Sequence, residues 1–222
     1  MSSVAVIDYG MGNLHSIAKA LQHADSQIDI SITNNHQTIL DADRIVFPGV
    51  GAIGDCIHAL QENGLIEIIK TVAGDKPFLG ICLGMQALLT DSEESSADAD
   101  QNCEIKTQGL NLISGHVVHF PEHLKDRDGN TLKVPHMGWN QVHFNAHPLW
   151  ENISQASRFY FVHSYFTVPD DKSVISATAD YPQAFACALA RENIFAVQFH
   201  PEKSQTAGLQ LLCNFLHWDG RV

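Results

Sequence analysis

A cysteine with a glycine two positions away on each side is the feature of this sequence that most suggests chemistry. Cys82 lies in Gly80-Ile81-Cys82-Leu83-Gly84-Met85-Gln86, between an apolar run and an amphipathic stretch. This is the thiol counterpart of the G-x-S-x-G nucleophile elbow, in which a sharp strand-to-helix turn exposes the central side chain. The positive end of a helix favours the thiolate, which is the reactive form of a thiol. The motif predicts attack on a carbonyl carbon.

A second motif supplies a base for the thiol and a group that orients the base. His200, Pro201 and Glu202 follow an apolar run at residues 194–199. Pro201 disfavours helical backbone at the preceding residue, so we expect His200 to be extended. The ends of parallel strands meet at one edge of a sheet, which can bring His200 beside Cys82. Glu202 can then fix the imidazole tautomer, as the acid does in serine triads, and we predict a Cys-His-Glu triad.

Acyl transfer also needs hydrogen-bond donors for the developing oxyanion. The backbone N–H of Leu83 is one candidate, and the loop Pro48-Gly49-Val50-Gly51, whose glycines allow close approach, offers another. This loop runs on to Gly54 as G-x-G-x-x-G, the dinucleotide fingerprint, which belongs after a first strand. Here it follows the third predicted strand, and Asp75 precedes the next strand instead of ending it. We therefore predict no nicotinamide and no other cofactor.

Composition narrows the class of partner. The chain has 222 residues, 45% of them hydrophobic and 17% charged, as in an ordinary globular protein. Its formal net charge of −12 argues against binding to nucleic acid or to an anionic membrane, since both require a basic surface. The sequence shows neither an apolar stretch of transmembrane length nor a signal-peptide pattern, so we expect a cytoplasmic protein.

Cysteines and histidines are numerous but poorly spaced for disulfides or metals. The five cysteines are odd in number and never form C-x-x-C: Cys56, Cys82, Cys103, Cys187 and Cys213. Among the thirteen histidines, His116 with His119, or His143 with His147, could share one face of an element. None lies in H-E-x-x-H, and we predict no metal site.

Apolar periodicity predicts an α/β fold. Strand-like runs at residues 4–8, 28–32, 44–47 and 77–81 alternate with helical patterns at 14–21, 55–72 and from 84 to 89, Gly64 being a weak point in the second helix. Such alternation is typical of a largely parallel central sheet flanked by helices. The acidic stretch at 91–100 lacks large apolar residues and is predicted to be a solvated surface loop.

The second half of the chain has a different pattern. Short β-type runs occur at residues 116–120, 139–144, 159–168, 173–178 and 184–189. Turn signals separate them, which predicts an antiparallel β region appended to the parallel sheet. A last strand at 194–199 and a closing helix at 205–218 complete the chain. Without an internal repeat or a linker, residues 1–222 are expected to form a single domain.

These motifs resemble those of the class I (triad-type) glutamine amidotransferases. Residues 80–86 are similar to the family's nucleophile motif and residues 199–204 to its His-Pro-Glu motif, and the resemblance spans nearly the whole chain. It implies hydrolysis of the side-chain amide of glutamine through a γ-glutamyl thioester on Cys82. His200 would pass the thiol proton to departing ammonia, with Glu202 orienting it. Gln86 would help to hold the glutamine near the backbone of Gly51.

Within that family, four segments resemble the branch that serves as the glutaminase subunit of imidazole glycerol phosphate synthase: residues 8–14, 47–51, 135–140 and 161–166. The resemblance implies that Ser164 and Tyr165 hold the glutamine carboxylate. It also implies a heterodimer with a cyclase subunit, which receives ammonia through a channel and activates the glutaminase. Its interface would include Asn13, Met137, Trp139 and Asn140. For Trp139 a place in the core is the competing interpretation.

Three other functions compete with this one. The chain could serve a different synthase, such as one making anthranilate or pyridoxal phosphate, although the four segments weigh against that. It could be a free-standing thiol hydrolase, for instance a γ-glutamyl peptidase. It could also be a binding or regulatory module that retains the fold, against which the intact Cys-His-Glu set argues.

The stretch at 91–102 is longer and more acidic than the resemblance leads us to expect, and its role stays open.

Overall fold

The computed structural model describes residues 2–94, 106–126 and 129–221. Its helices are α1 (Leu14–Ala24), α2 (His36–Asp41), α3 (Ile53–Glu62), α4 (Ile66–Ala73), α5 (Leu83–Gln86) and α6 (Gln205–His217). Its strands are β1 (Ser3–Ile7), β2 (Asp29–Thr33), β3 (Arg44–Gly49), β4 (Phe78–Cys82), β5 (Asp91–Ser92), β6 (Thr107–Gln108), β7 (Gly115–His119), β8 (His136–Gln141), β9 (His143–Phe144), β10 (Arg158–His163), β11 (Tyr165–Pro169), β12 (Ile175–Asp180), β13 (Ala184–Arg191) and β14 (Ile194–Val197).

Parallel strands form the centre of the molecule, as predicted. They lie in the order β2-β1-β3-β4-β14, and every neighbouring pair in this series is parallel. Strands β4 and β14 are buried along their whole length, which explains their continuous apolar sequences. Side chains of α1 and α6 cover one face of the sheet, and those of α2, α3 and α4 cover the other. The two cores position β4 and β14 side by side, with the ends of both strands at one edge.

The antiparallel region continues the same sheet. Strand β13 pairs with β14, β12 and β11, and β7 follows outward from β11. Strands β8 and β10 pair only with each other among the described strands, as a separate antiparallel ribbon. The predicted fold class is confirmed: a mostly parallel sheet between helices with an antiparallel region attached.

The prediction of one strand at 159–168 was wrong. Strand β10 ends at His163 in the small ribbon, and β11 begins at Tyr165 in the large sheet, with Ser164 between them. Buried positions fall on odd-numbered residues in both strands, from Phe159 to Pro169. Because the period of two continues in phase through the break, the sequence carries no sign that the chain changes sheets there.

Two predicted helices also differ from the structure. The helix expected at 55–72 is divided into α3 and α4 by Gly64, whose φ of +63° is in the left-handed region that ends helices. The helix after Cys82 is shorter than expected, since α5 spans only Leu83–Gln86. In the described part of the chain, no helix is long and apolar enough to cross a membrane.

The acidic stretch is structured at its start. Asp91 and Ser92 form β5, which pairs with β6 and β7, and Ser92 is fully buried, so the predicted solvated loop was wrong for these residues. Residues 95–105, which include the rest of the acidic run and Cys103, lie outside the described residues. The four cysteines among the described residues are free thiols. No group of three or more potential metal ligands occurs among the same residues.

Candidate active site

Cys82 adopts the strained backbone expected of a nucleophile elbow. Its φ of 55° and ψ of −110° lie in a region that non-glycine residues seldom occupy, at a cost of about 1–3 kcal/mol. A Cβ at Gly84 would collide with the carbonyl oxygen of Phe47, and one at Gly80 would lie 3.2 Å from the Cβ of Ala196. The two glycines thus let α5 and β4 pack close to their neighbours, and this packing holds the strained turn.

The predicted base and its predicted orienting acid lie beside this turn. His200 follows β14, which is paired with β4 in the register Val197 to Ile81. Its backbone is extended, with φ −101° and ψ 98°, as predicted from Pro201. Imidazole Nδ1 lies 2.9 Å from Oε1 of Glu202, and the two side chains are 3% and 4% exposed. Nδ1–H donates to the carboxylate, and this tautomer leaves Nε2 for the thiol.

The surroundings favour the protonated imidazole. Burial lowers the pKa of His200, but the interactions with the sulfur of Cys82 and with the Glu202 carboxylate outweigh it and raise this pKa to about 10. Nε2 of His200 forms no hydrogen bond with any described residue. It is therefore available to exchange a proton with the thiol and with a substrate.

A pair of hydrogen-bonded glutamines lies beside the sulfur of Cys82. Nε2 of Gln198 lies 3.8 Å from Sγ of Cys82 and donates toward it, while Oε1 of Gln198 accepts from Gln86 at 3.0 Å. Gln86 also donates to the carbonyl of Tyr165 at 3.0 Å. Both N–H groups of the Gln86 amide are thus used by the protein, which leaves its oxygen to accept from a ligand. The position of Gln198 could not be predicted from the sequence, since a buried glutamine in a strand run has no diagnostic pattern.

A cavity of about 250 Å³ opens in front of Cys82. It brings together most of the predicted substrate-binding residues, and its walls are Val50, Gly51, Cys82, Leu83, Gln86, Glu94, Val162, His163, Ser164, Tyr165 and His200. Gly49 and Asn13 line a smaller neighbouring cavity, together with His200 and Glu202. Met137, Trp139 and Asn140 lie elsewhere and line a third cavity. The structure therefore separates the predicted substrate residues from most of the predicted interface residues.

The glycine loop lies over the thiol. Gly49 is the partner of Cys82 in the parallel ladder of β3 and β4, and the loop then turns at Gly51, where φ is +100°. The hydroxyl of the buried Tyr9 donates to the carbonyl of Pro48 at 3.0 Å and holds the start of the loop. The backbone of Val50 and Gly51 thus borders the cavity, where an oxyanion on a bound acyl group would need donors.

Glu94 is a site residue that the sequence analysis missed. It lines the same cavity, and its Oε2 accepts from the N–H of Ile53 at the start of α3, 2.9 Å away. Burial raises the pKa of this half-buried carboxyl, and the hydrogen bond from Ile53 opposes the shift. In the sequence Glu94 is one of several acids in a polar run, so only the tertiary structure distinguishes it from its neighbour Glu93.

A strained, buried thiol with a His-Glu pair and a cavity sized for a small amide defines a glutaminase-type site, and comparison with known proteins agrees. The model of the class I glutamine amidotransferases matches residues 5–218, and the chain belongs to that family. It is 58% identical to imidazole glycerol phosphate synthase subunit HisH of Methylococcus capsulatus, over 99% of this chain and 98% of that protein. It is 56% identical to the same subunit of Nitrosococcus oceani, over 99% of each.

Solved structures show the same fold at low sequence identity. A glutamine amidotransferase crystal structure superimposes with a TM-score of 0.66 at 15% identity, covering 96% of this chain and 97% of that one. A glutamine amidotransferase from Thermotoga maritima gives a TM-score of 0.57 at 13% identity, covering 90% of this chain and 76% of that one. At these identities the likeness concerns the fold alone.

Proposed function

We propose that this chain is the glutaminase subunit of an imidazole glycerol phosphate synthase. It hydrolyses glutamine to glutamate and ammonia and passes the ammonia to a cyclase subunit in a heterodimer. The cyclase makes imidazole glycerol phosphate and aminoimidazole carboxamide ribonucleotide in histidine biosynthesis. The observation that carries the proposal is the Cys82-His200-Glu202 arrangement at a small cavity, and the near full-length HisH relatives support the choice of acceptor. We place this single-domain subunit in the cytoplasm.

The first half of the reaction forms a thioester. The thiolate of Cys82 attacks the side-chain carbonyl carbon of glutamine, and the N–H groups of Leu83 and of the Gly49-Val50-Gly51 loop receive the oxyanion. His200 then donates its proton to the amide nitrogen as the C–N bond breaks, and ammonia leaves. The raised pKa of His200, supported by Glu202, keeps that proton on the imidazole until the nitrogen accepts it.

The second half returns the enzyme to its resting state. His200 takes a proton from a water molecule as the water oxygen attacks the thioester carbon. The C–S bond breaks, glutamate leaves, and the proton balance on Cys82 and His200 is restored. Glu202 keeps Nδ1–H engaged at 2.9 Å in both halves, so that Nε2 always faces the reacting atoms.

The cavity has groups for both ends of the substrate. Ser164 and Tyr165, where the chain passes between two sheets, hold the α-carboxylate of glutamine. Gln86 helps to hold the glutamine near the backbone of Gly51. The carboxylate of Glu94 faces the same space, and we assign it to the α-ammonium group of glutamine, because a buried acid next to a cationic ligand is stabilised by the charge. These contacts select an amino acid over a simple amide.

The proposed partner surface is the part of β8 that carries Met137, Trp139 and Asn140, which line one cavity, with Asn13 near the active site. Met137 is 63% and Trp139 43% exposed, which supports an interface and argues against a core role for Trp139. The rings of Trp139 and Tyr160 meet edge-on, with their centroids 6.1 Å apart. Nζ of Lys203, the residue after Glu202, lies over the Tyr160 ring, 5.7 Å from its centroid. Tyr160 and Lys203 therefore connect this surface to a residue adjacent to Glu202 of the proposed triad.

The test is a glutaminase assay with and without the cyclase subunit and a nucleotide-like ligand of the cyclase. We expect slow release of glutamate from the chain alone, a large increase with the liganded partner, and loss of activity in Cys82→Ala. Full activity of the lone chain on γ-glutamyl peptides, with none on glutamine in the presence of the cyclase, would instead identify a free-standing thiol hydrolase. Activation by an anthranilate synthase partner, but not by the cyclase, would identify a subunit of another synthase.

A further inference from the structure

Two buried histidines that are not part of the proposed triad lie on paired strands and are hydrogen-bonded to each other. His136 begins β8 and His163 ends β10, and the two are partners in the antiparallel ladder. Nδ1 of His136 lies 3.0 Å from Nε2 of His163, and the residues are 4% and 6% exposed. His163 lines the glutamine cavity, whereas His136 lines a cavity of about 500 Å³ that also borders Trp139 and Asn140. The pair therefore joins the walls of two separate cavities.

The hydrogen bonds at one end determine both tautomers. Nδ1 of His163 lies 2.8 Å from the carbonyl oxygen of Tyr165, which can only accept, so Nδ1 of His163 carries the proton. In the neutral ring Nε2 of His163 is then an acceptor, and His136 must donate to it from Nδ1. Nε2 of His136 is therefore also an acceptor.

The other end of the chain requires the same tautomers independently. The Asn140 amide nitrogen donates to the carbonyl of Asp180 at 2.8 Å, which establishes which end of that amide is the donor. The same nitrogen lies 3.3 Å from Nε2 of His136, where an acceptor is needed. All donors thus point one way, from Asn140 through His136 and His163 to the carbonyl of Tyr165.

The surroundings keep both rings neutral, as these tautomers require. Burial lowers the pKa of His136 to about 4. Burial also lowers the pKa of His163 to about 3; the Tyr165 carbonyl opposes this shift, and the neighbouring His136 and His200 add to it. His136 is stacked between Phe161 and Tyr181, with ring centroids 4.9 and 4.0 Å away, so its plane is fixed as well.

We propose that His136 and His163 are positioning residues that hold the glutamine-binding segment Ser164–Tyr165 from the strand bearing the partner-facing residues. This inference rests on the proposed function. Ser164 is the single residue between two sheets, and the Tyr165 carbonyl is anchored by His163 on one side and Gln86 on the other. A contact made at Asn140 therefore reaches the glutamine pocket through three hydrogen bonds and two rigid rings.

The tautomers can be tested without any activity measurement. NMR spectra of the full-length chain, labelled with ¹⁵N in the imidazole rings, should show Nδ1 protonated and Nε2 unprotonated in both His136 and His163 at neutral pH. A proton on Nε2 of either ring would break the direction of the chain and overturn the proposal, whether or not the protein is a glutaminase.

The positioning role is tested in the complex with the cyclase. His136→Phe retains the stacked ring but removes both of its hydrogen bonds. We expect the KM for glutamine to rise about five- to tenfold, the size of a net hydrogen-bond contribution to binding, with kcat within about twofold. His136→Asn restores a donor at the Nδ1 position and should return KM to within about twofold of the wild type. Tyr181→Phe, which loses only the hydrogen bond to the Lys133 carbonyl, is the matched control.

The possible outcomes distinguish a failure of this inference from a failure of the proposed function. If the wild-type complex does not hydrolyse glutamine, the proposed function fails and the NMR result alone decides the tautomer chain. If the wild type is active and His136→Phe has a normal KM, the positioning role is wrong. Equal losses of kcat and melting temperature in His136→Phe and His136→Asn would show that the histidine only supports the fold, which also overturns it.

Discussion

At the scale of single residues, the polar groups of the site shift the pKa values of their neighbours. Burial alone would keep the imidazole of His200 neutral, yet Cys82 and Glu202 raise its pKa to about 10. The pKa of the neighbouring His163 is instead lowered, chiefly by burial and also by His200 itself. Two histidines close in space thus have different proposed roles, one as a proton carrier and one as a neutral hydrogen-bonding ring, because their partners differ.

Glu94 offers a direct test of substrate recognition at this scale. We expect Glu94→Gln to raise the KM for glutamine about 10- to 100-fold, since it removes a charged partner of the α-ammonium group. Steady-state kinetics of the complex would measure this. Glu93→Gln is the matched control, because Glu93 is exposed and its carboxylate accepts from the N–H of His119 outside the cavity. Equal KM values in wild type and Glu94→Gln would remove Glu94 from the substrate site.

At the scale of elements, close packing of β3, β4 and α5 keeps the thiol exposed to the cavity. The strained backbone of Cys82 persists because the strands on both sides of β4 are fixed by the central sheet. The proposed triad spans the ends of two adjacent parallel strands, so a small change in the spacing between elements would displace the proposed nucleophile from its base. The glycines of the elbow are therefore structural requirements of the chemistry.

Gly84→Ala should show this requirement. The new Cβ has no room beside the carbonyl of Phe47, so we expect a loss of about 1–3 kcal/mol in the free energy of unfolding, together with lower glutaminase activity. Urea unfolding measures the first quantity. At Gly74, the control position, φ is −86° and an added Cβ would meet its nearest atom at an ordinary 3.6 Å, so Gly74→Ala should leave both quantities close to wild type. A stable, active Gly84→Ala protein would contradict the packing argument.

At the scale of the whole molecule, the chain presents an apolar, partly aromatic surface on the ribbon of β8 and β10. This ribbon pairs with no other described strand, and its exposed side includes Met137 and Trp139. Its buried side packs Phe159 and Phe161 against the core and carries His163. One ribbon thus serves the proposed partner on one side and the glutamine cavity on the other.

Trp139→Ala tests the partner surface. We expect the Kd for the cyclase subunit to rise about tenfold or more, as for a central interface tryptophan, while the melting temperature of the isolated chain changes little. Titration calorimetry and thermal melts measure the two effects. Val168→Ala, at a similarly exposed apolar side chain on β11, should leave the Kd unchanged. A melting temperature far below that of wild type would mean that Trp139 stabilises the fold itself.

Buried neutral histidines should make the folded state sensitive to acid. The pKa values of His136, His147 and His163 are lowered from an ordinary 6.5 to about 4, 4 and 3, each chiefly by burial. Their stabilising contribution is complete above pH 6.5 and is lost as the pH falls toward 4, because the unfolded chain binds protons first. His200 acts in the opposite sense, since its raised pKa stabilises the folded state below pH 6.5 and this is lost toward pH 10.

His147→Asn isolates one of these contributions. Nδ1 of His147 accepts from the N–H of Leu149, and an asparagine oxygen can take over that bond without titrating. We expect the unfolding free energy of wild type to fall between pH 7 and pH 5, and the fall to be smaller in the variant, as measured by urea unfolding at each pH. An identical fall in both proteins would exclude His147 as a source of acid sensitivity.

The sequence by itself determined the local chemistry and the order of elements. The elbow around Cys82, the extended His200 before Pro201 and the alternation of strands and helices all follow from short-range backbone constraints, and short range is what a sequence pattern records. Only the tertiary structure decided which other polar side chains meet around the predicted triad. Glu94, Gln198 and the His136–His163 pair come from distant segments, and the passage between two sheets at Ser164 preserves the apolar period. Burial and proximity, which no local pattern encodes, turn these ordinary residues into parts of a site.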